Sequence, residues 1–209
     1  MKIAIKGLYA ITPKIAATDV LLGKVQQALQ GGAQAVQYRA KSKNVALKHE
    51  QATELLALCH QFRVPLIIND DVRLAVLTDA DGVHLGAHDA PLKEARINLG
   101  PDKIIGASCY QDLDLALRLA AQGADYVAFG SLYPSPTKPQ AQPCPLTLLT
   151  TAKTQLHVPI VAIGGITPDN ARAVIDAGAN AVAVISALFD AQDIEMAAQY
   201  FASLFAIKH

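Results

Sequence analysis

The chain has 209 residues, 52% of them hydrophobic and 17% charged, a composition that builds a large core and excludes a disordered protein. Eighteen basic and eighteen acidic side chains cancel, and the pI is about 7.0. That balance argues against a polyanion partner such as nucleic acid, while leaving room for a local cationic pocket.

The N-terminal apolar stretch is interrupted by Lys6 and carries no cleavage signature, so it does not read as a secretory signal. No apolar run nears the roughly 18 residues that cross a bilayer. Short runs rich in β-branched residues then recur at 7–12, 35–39, 65–69, 82–86, 104–108, 126–130, 159–164 and 181–186, each of strand length. Helical spacing fills the intervals. Ala52, Leu55, Leu56 and Cys59 fall at i, i+3, i+4, i+7, as do Ile194, Ala197, Ala198 and Phe201. Thr167-Pro168-Asp169 supplies an N-cap, a proline at the first helical position and an acid in the first turn. Gly178 stands where a left-handed C-cap belongs.

Three helix-to-strand joints resemble one another, Gly32-Ala-Gln-Ala-Val36, Gly123-Ala-Asp-Tyr-Val127 and Gly178-Ala-Asn-Ala-Val182, with Ala80-Asp-Gly-Val83 as a looser copy. Eight strand–helix units with strands apolar on both faces predict one closed parallel (β/α)8 TIM barrel spanning residues 1–209 as a single domain. The competing arrangement is an open doubly wound sheet, but no G-x-G-x-x-G follows the first strand. One long irregular loop, 131–145, is dense in proline. Cys59, Cys109 and Cys144 form no C-x-x-C pair and read as reduced thiols of a cytoplasmic protein.

In such a barrel the carboxyl ends of the strands form the active face. Gln37, Arg39 and Lys41 alternate by two at the end of the second strand, and the two cations suit a phosphate or diphosphate; ion pairing on a solvated rim is the competing reading. Asn69, Asp70 and Asp71 end the third strand, and Asp89 follows the fourth. Asp70 and Asp89 lie past adjacent strands, roughly 4.8 Å apart, and two carboxylates completed by substrate oxygens and water suit Mg²⁺. Asp71 reads as the N-cap of the next helix. His84 and His88 have no partner at metal-ligand spacing. Ser108 ends the fifth strand, and Lys138 lies in the long loop. Gly164-Gly165 and Ile185-Ser186 occupy the place after strands seven and eight where barrels hold phosphates.

Taken in order, Leu8-Tyr-Ala-Ile-Thr12, Val36-Gln-Tyr-Arg-Ala-Lys41, Leu66-Ile-Ile-Asn-Asp-Asp-Val72, Ala80-Asp-Gly-Val-His-Leu-Gly86 with Asp89, Ile105-Gly-Ala-Ser108, Gly123-Ala-Asp-Tyr126, Pro134-Ser-Pro-Thr-Lys138, Ala162-Ile-Gly-Gly-Ile166 and Ala183-Val-Ile-Ser186 resemble the thiamine-phosphate synthase (thiamin phosphate pyrophosphorylase) family. The resemblance implies a transferase that joins a hydroxymethylpyrimidine diphosphate to a hydroxyethylthiazole phosphate through a dissociative pyrimidine carbocation. It implies Arg39, Lys41, Ser108 and Lys138 as catalytic residues, and Gln37, Tyr38, Arg39, Ala40, Lys41, Asn69, Ser108 and Lys138 around the pyrimidine diphosphate. Ser135, Pro136, Thr137, Gly165, Ile185 and Ser186 would take the thiazole phosphate, and Asp70 with Asp89 the Mg²⁺. The partners are then small molecules, with neither nucleic acid nor membrane. Oligomeric state is not legible. The chain departs from the family's usual motifs at Pro13, Ala40, Ala87 and Ser135, of which Ser135 keeps a hydroxyl. A thiazole tautomerase and a non-catalytic phosphate-binding regulator are the alternatives; neither uses a diphosphate and metal site.

Overall fold

The computed structural model describes residues 4–87, 89–134 and 143–206. In chain order its elements are β1 Gly7–Ile11, α1 Thr18–Gln30, β2 Ala35–Tyr38, α2 Val45–Gln61, β3 Leu66–Asn69, α3 Val72–Thr78, β4 Gly82–Leu85 and α4 Leu92–Leu99. There follow β5 Ile104–Tyr110, α5 Leu113–Ala121, β6 Tyr126–Phe129, α6 Leu146–Gln155, β7 Ile160–Ile163, α7 Pro168–Asp176, β8 Ala181–Val184, α8 Ser186–Phe189 and α9 Ile194–Ala206. Each strand pairs in parallel with its neighbours in the sequence, and β8 pairs with β1, so the sheet closes into the expected barrel. None of the helices among the described residues is long and apolar enough to cross a membrane.

Closure sorts side chains by parity. Tyr9, Ile11, Ala35, Ile67, Ile104, Tyr126, Ala128, Val161, Ala181 and Ala183 pack together inside the barrel. Their strand neighbours Leu8, Ala10, Val36, Tyr38, Ile68, Val83, Val127 and Val182 pack outward against the helices. Both sets are buried, which is why the strands read as unbroken apolar runs. Side-chain caps start α2, α3 and α5: Asn44 accepts from the Leu47 N–H, Asp71 from Leu74 and Asp112 from Leu115. At α7 the Asn170 carbonyl oxygen accepts the Thr167 N–H at 2.9 Å, and Pro168 occupies the first helical position as predicted.

The repeated joints have one physical cause. After α1, α5 and α7 the chain turns through Gly32, Gly123 and Gly178 at φ of +97°, +97° and +120°. The N–H of each glycine and of the alanine after it return to carbonyls of the last helical turn, the hydrogen-bond pattern of a Schellman stop. The residue after the alanine then clasps the preceding strand. The Asp125 N–H donates to the Ile105 carbonyl at 2.7 Å, while its carboxylate accepts the Ile105 N–H at 2.8 Å. Asn180 does the same to Ile160, and Asp81 to Leu66. At α3 the left-handed position falls on Asp79, and at α2 on Arg63, so the stop is present at two helices without glycine.

Gly106 makes the barrel interior possible. A Cβ there would lie 1.9 Å from the ring of Tyr126, which crosses directly over it. Gly106→Ala is therefore expected to destabilise the protein by about 1–3 kcal/mol through overpacking, measured as a drop in the denaturant midpoint at unchanged m-value.

Candidate active site

The carboxyl ends of the strands surround a cavity of about 800 Å³. Strand parity decides what enters it. β1 contributes Tyr9 and Ile11, β2 Gln37 and then Arg39, β3 Asn69 and then Asp70, β4 His84 and then Asp89, and β5 Ser108. Gly164, Gly165, Ile185 and Ser186 close the opposite wall, and Ala128, Val161, Ile163 and Ala183 make its floor apolar. Gln37, Arg39, Asn69, Asp70, Asp89, Ser108, Gly165, Ile185 and Ser186, all singled out from sequence, thus meet at one mouth.

Asp70 and Asp71 are neighbours with opposite fates. Asp70 takes a left-handed backbone, φ +65°, and its N–H donates to the His84 carbonyl at 2.8 Å, pinning it between β3 and β4. Its carboxyl is raised to about 6 by burial, then by the hydrogen bond and charge of Asp89, against the pull of Asn69 and Arg39. Two carboxyl groups that hydrogen-bond share a proton, and a cation between them replaces it. Asp89 is held in turn by the Gly86 N–H, 2.6 Å from its Oδ2. The pair is a fit donor set for a hard divalent cation that keeps its remaining positions for water and substrate oxygens. Among the described residues no cluster of three acidic, histidine or cysteine ligands exists, which suits such an open site rather than a closed one. Asp71 turns away as predicted: it caps α3 and pairs with Lys48 at 2.5 Å. Burial raises its carboxyl, but Lys48 and the Leu74 N–H outweigh that and hold it below the usual value.

Three expected residues stand elsewhere. Tyr38 has the parity opposite to Gln37, so its side chain points out of the barrel and its hydroxyl donates to Gln51 Oε1 at 2.8 Å. Ala40 likewise packs against the outer layer. Lys41 is exposed and outside the cavity lining, because β2 ends at Tyr38 and the two-residue alternation stops governing direction beyond it. Ser135, Pro136, Thr137, Lys138 and His88 lie outside the described residues. The feet of their loop are nonetheless placed at the mouth. The Cys144 N–H donates to the Ser131 carbonyl at 2.7 Å, and the Leu132 and Tyr133 N–H groups donate to Ile163 and Gly164. The Gly164-Gly165 turn has positive φ at both residues, and a Cβ on either would strike Ser131 or Pro134, so this close approach requires glycine.

Other residues at and beneath the mouth were given no role in the site from sequence. His84, Tyr9 and Tyr126 form a buried polar chain under the cavity: His84 Nε2 lies 2.9 Å from Ser108 Oγ, and its Nδ1 2.9 Å from the Tyr126 hydroxyl. Tyr126 in turn meets the Tyr9 hydroxyl at 2.9 Å, and Gln37 Nε2 donates to Tyr9 at 3.1 Å. The available signal was parity, since each occupies an inward position of a short strand. Tyr110, at φ +55° beside an irregularity in the β5–β6 register, accepts the Ala87 N–H at 3.3 Å and ties the Asp89 turn to β5.

Comparison with known proteins agrees with this geometry. A family model described as thiamine monophosphate synthase matches residues 8–188. The thiamine-phosphate synthase of Thiobacillus denitrificans is 58% identical over 200 residues, covering 96% of this chain and 95% of the relative. That of Methylobacillus flagellatus is 55% identical and covers 96% of each. Among solved structures, a thiamine phosphate pyrophosphorylase from Pyrococcus furiosus superposes with a TM-score of 0.87 at 36% identity, covering 96% of this chain and 95% of that one. With a barrel whose mouth gathers the residues its motifs predicted, the chain belongs to the thiamine monophosphate synthase family.

Proposed function

We propose that the chain is a thiamine-phosphate synthase that condenses 4-amino-2-methyl-5-(diphosphooxymethyl)pyrimidine with 4-methyl-5-(2-phosphooxyethyl)thiazole, releasing diphosphate. The observation that carries the reading is one cavity that holds an acid pair beside Arg39 on β2–β4 and a glycine turn with Ser186 on the opposite wall. A diphosphate fits the first side. A monophosphate fits the second, where the Ser186 and Ala187 N–H groups begin α8 without carbonyl partners inside it. A thiazole tautomerase or a phosphate-binding regulator would have no use for Arg39, Asn69, Asp70 and Asp89 at the same mouth.

The residues suit a dissociative reaction. The bond between the exocyclic CH₂ and the diphosphate oxygen breaks, its electron pair leaves with the diphosphate, and the pyrimidine ring carries the positive charge. The thiazole nitrogen then donates its lone pair to that carbon. Asp70 and Asp89 would hold Mg²⁺, which when bound neutralises charge on the departing diphosphate. Arg39 and Asn69 hold the diphosphate oxygens, with Lys138 as the further cation of the proposed set. Ser108 and Gln37 orient the ring, and the apolar floor of Ile11, Val161 and Ile163 keeps water from the cation. The reaction asks for no nucleophilic side chain, and His84 beside Ser108 turns its Nδ1 to the Tyr126 hydroxyl.

Incubating the protein with both substrates and Mg²⁺ is expected to yield thiamine phosphate and diphosphate; no product would overturn the reading. Asp70→Ala and Asp89→Ala are expected to lower kcat by roughly 100-fold or more, the loss of several kcal/mol of charge stabilisation. Asp71→Ala should leave kcat near that of the parent and cost about 1 kcal/mol of stability, measured by denaturant unfolding. The raised Asp70 carboxyl makes a pH prediction for the metal-free protein. Its folded-state value, about 6, lies above the ordinary 3.8, so its contribution to stability is complete below about pH 4 and is lost as pH rises through about 6. Asp70→Asn should therefore match the parent near pH 4 and exceed it at pH 8, by no more than about 1 kcal/mol given its solvent screening. Thermal melts in chelator at the two pH values check this.

A further inference from the structure

Gln37 and Ser108 sit three strands apart around the barrel, on β2 and β5, yet one chain of hydrogen bonds joins them beneath the cavity. With the Gln37 amide nitrogen turned toward Tyr9, one direction supplies every link with a hydrogen. The Gln37 amide nitrogen donates to the Tyr9 oxygen and cannot accept. Tyr9 has one hydroxyl hydrogen, and the Tyr126 oxygen lies 2.9 Å away to take it. Tyr126 then directs its own hydrogen to His84 Nδ1, 2.9 Å away. An Nδ1 that accepts leaves the imidazole proton on Nε2, which donates to Ser108 Oγ at 2.9 Å. The Ser108 hydrogen is left for the cavity. At the other end the Gln37 Oε1 has no protein donor among the described residues and is no buried orphan, so it faces the cavity as an acceptor. Tyr9, Tyr126 and His84 are all buried, so each link is shielded from bulk solvent, and Tyr9 and His84 also border the cavity. Burial also drives both phenols well above their usual range, so neither link loses its hydrogen.

We propose that Tyr9, Tyr126 and His84 are positioning residues forming a one-way relay that presents Gln37 as an acceptor and Ser108 as a donor to the ligand. The two ends therefore select a nitrogen heterocycle that carries an N–H donor toward β2 and a ring-nitrogen acceptor toward β5. The same heterocycle turned over would put donor against donor and acceptor against acceptor, and a buried mismatch of that kind is costly. The relay thus sets which way the ring lies, and so where its reactive CH₂ points. Naming that heterocycle as the aminopyrimidine rests on the synthase reading; the direction of the relay rests on the Gln37 amide orientation and the hydrogen-bond distances.

The test reads the two separately. Spectra of ¹⁵N-histidine-labelled protein, with His84→Gln to assign the signal, report the tautomer without turnover. The wild-type protein should show His84 protonated at Nε2 and bare at Nδ1. Tyr126→Phe removes the middle link without touching the cavity lining; it should abolish the single tautomer and raise KM for the pyrimidine diphosphate about tenfold, leaving KM for the thiazole phosphate unchanged. His84→Gln, whose amide N–H can donate to Ser108, should retain about tenfold more activity than His84→Leu. Should Tyr126→Phe fail to fold, Tyr9→Phe cuts the relay one link earlier and is expected to give the same pattern. An Nδ1-protonated His84 in the wild-type protein would overturn the proposal by reversing the relay. Unchanged tautomer and KM values in the folded cut variant would also overturn it. A wild-type protein that makes no thiamine phosphate would overturn the synthase reading, with the relay then judged on the tautomer alone.

Discussion

Everything functional here depends on the two-residue pleat of eight short strands bent into a closed ring. Only alternate side chains face the axis, so each four-residue strand offers two inward positions, one deep and one near the rim. On β2 these are Ala35 and Gln37, on β3 Ile67 and Asn69, on β6 Tyr126 and Ala128. The deep layer fills the barrel and supports the rim. Because space on the axis is fixed, a large ring on one strand demands a glycine on the next, as Gly106 does for Tyr126.

The same ring explains how acids come to be crowded together in a chain with no net charge. Repulsion and desolvation at the Asp70–Asp89 pair work against the metal-free fold, and the left-handed backbone at Asp70 adds local strain. The strands on either side are held below by clasps such as those of Asp81 and Asp125 to the edges of β3 and β5. The clasps stand at the amino end of the barrel, and the strained, charged groups at the carboxyl end. That division lets loops and polar ends carry chemistry without loosening the core.

Asp70 and Asp71 show how finely this depends on backbone direction. They are adjacent, chemically identical and within two residues of the strand end. One is turned by a positive φ toward Asp89 and the mouth; the other closes the first turn of α3 and meets Lys48. The polar run at the end of an apolar strand therefore serves two ends, a site and a helix cap.

The strands, the caps at Asp71 and Thr167, and the closed barrel were legible because they rest on local rules: period two against period 3.6, a side-chain oxygen before a helix, a glycine after one. That nine of the proposed site residues meet at one mouth was legible for the same reason, since strand order and parity already place strand ends there. The reading failed where those rules stop. Alternation was carried past the end of β2 to Lys41, and the outward parity of Tyr38 was overlooked in favour of its place in a motif. Only the tertiary structure decided that His84, Tyr126 and Tyr9 join Gln37 to Ser108, because those contacts span up to 117 residues and form across the axis. A chain order records which groups face inward, but which of them touch depends on the stagger of strands in a closed barrel, and that is set by the whole ring at once.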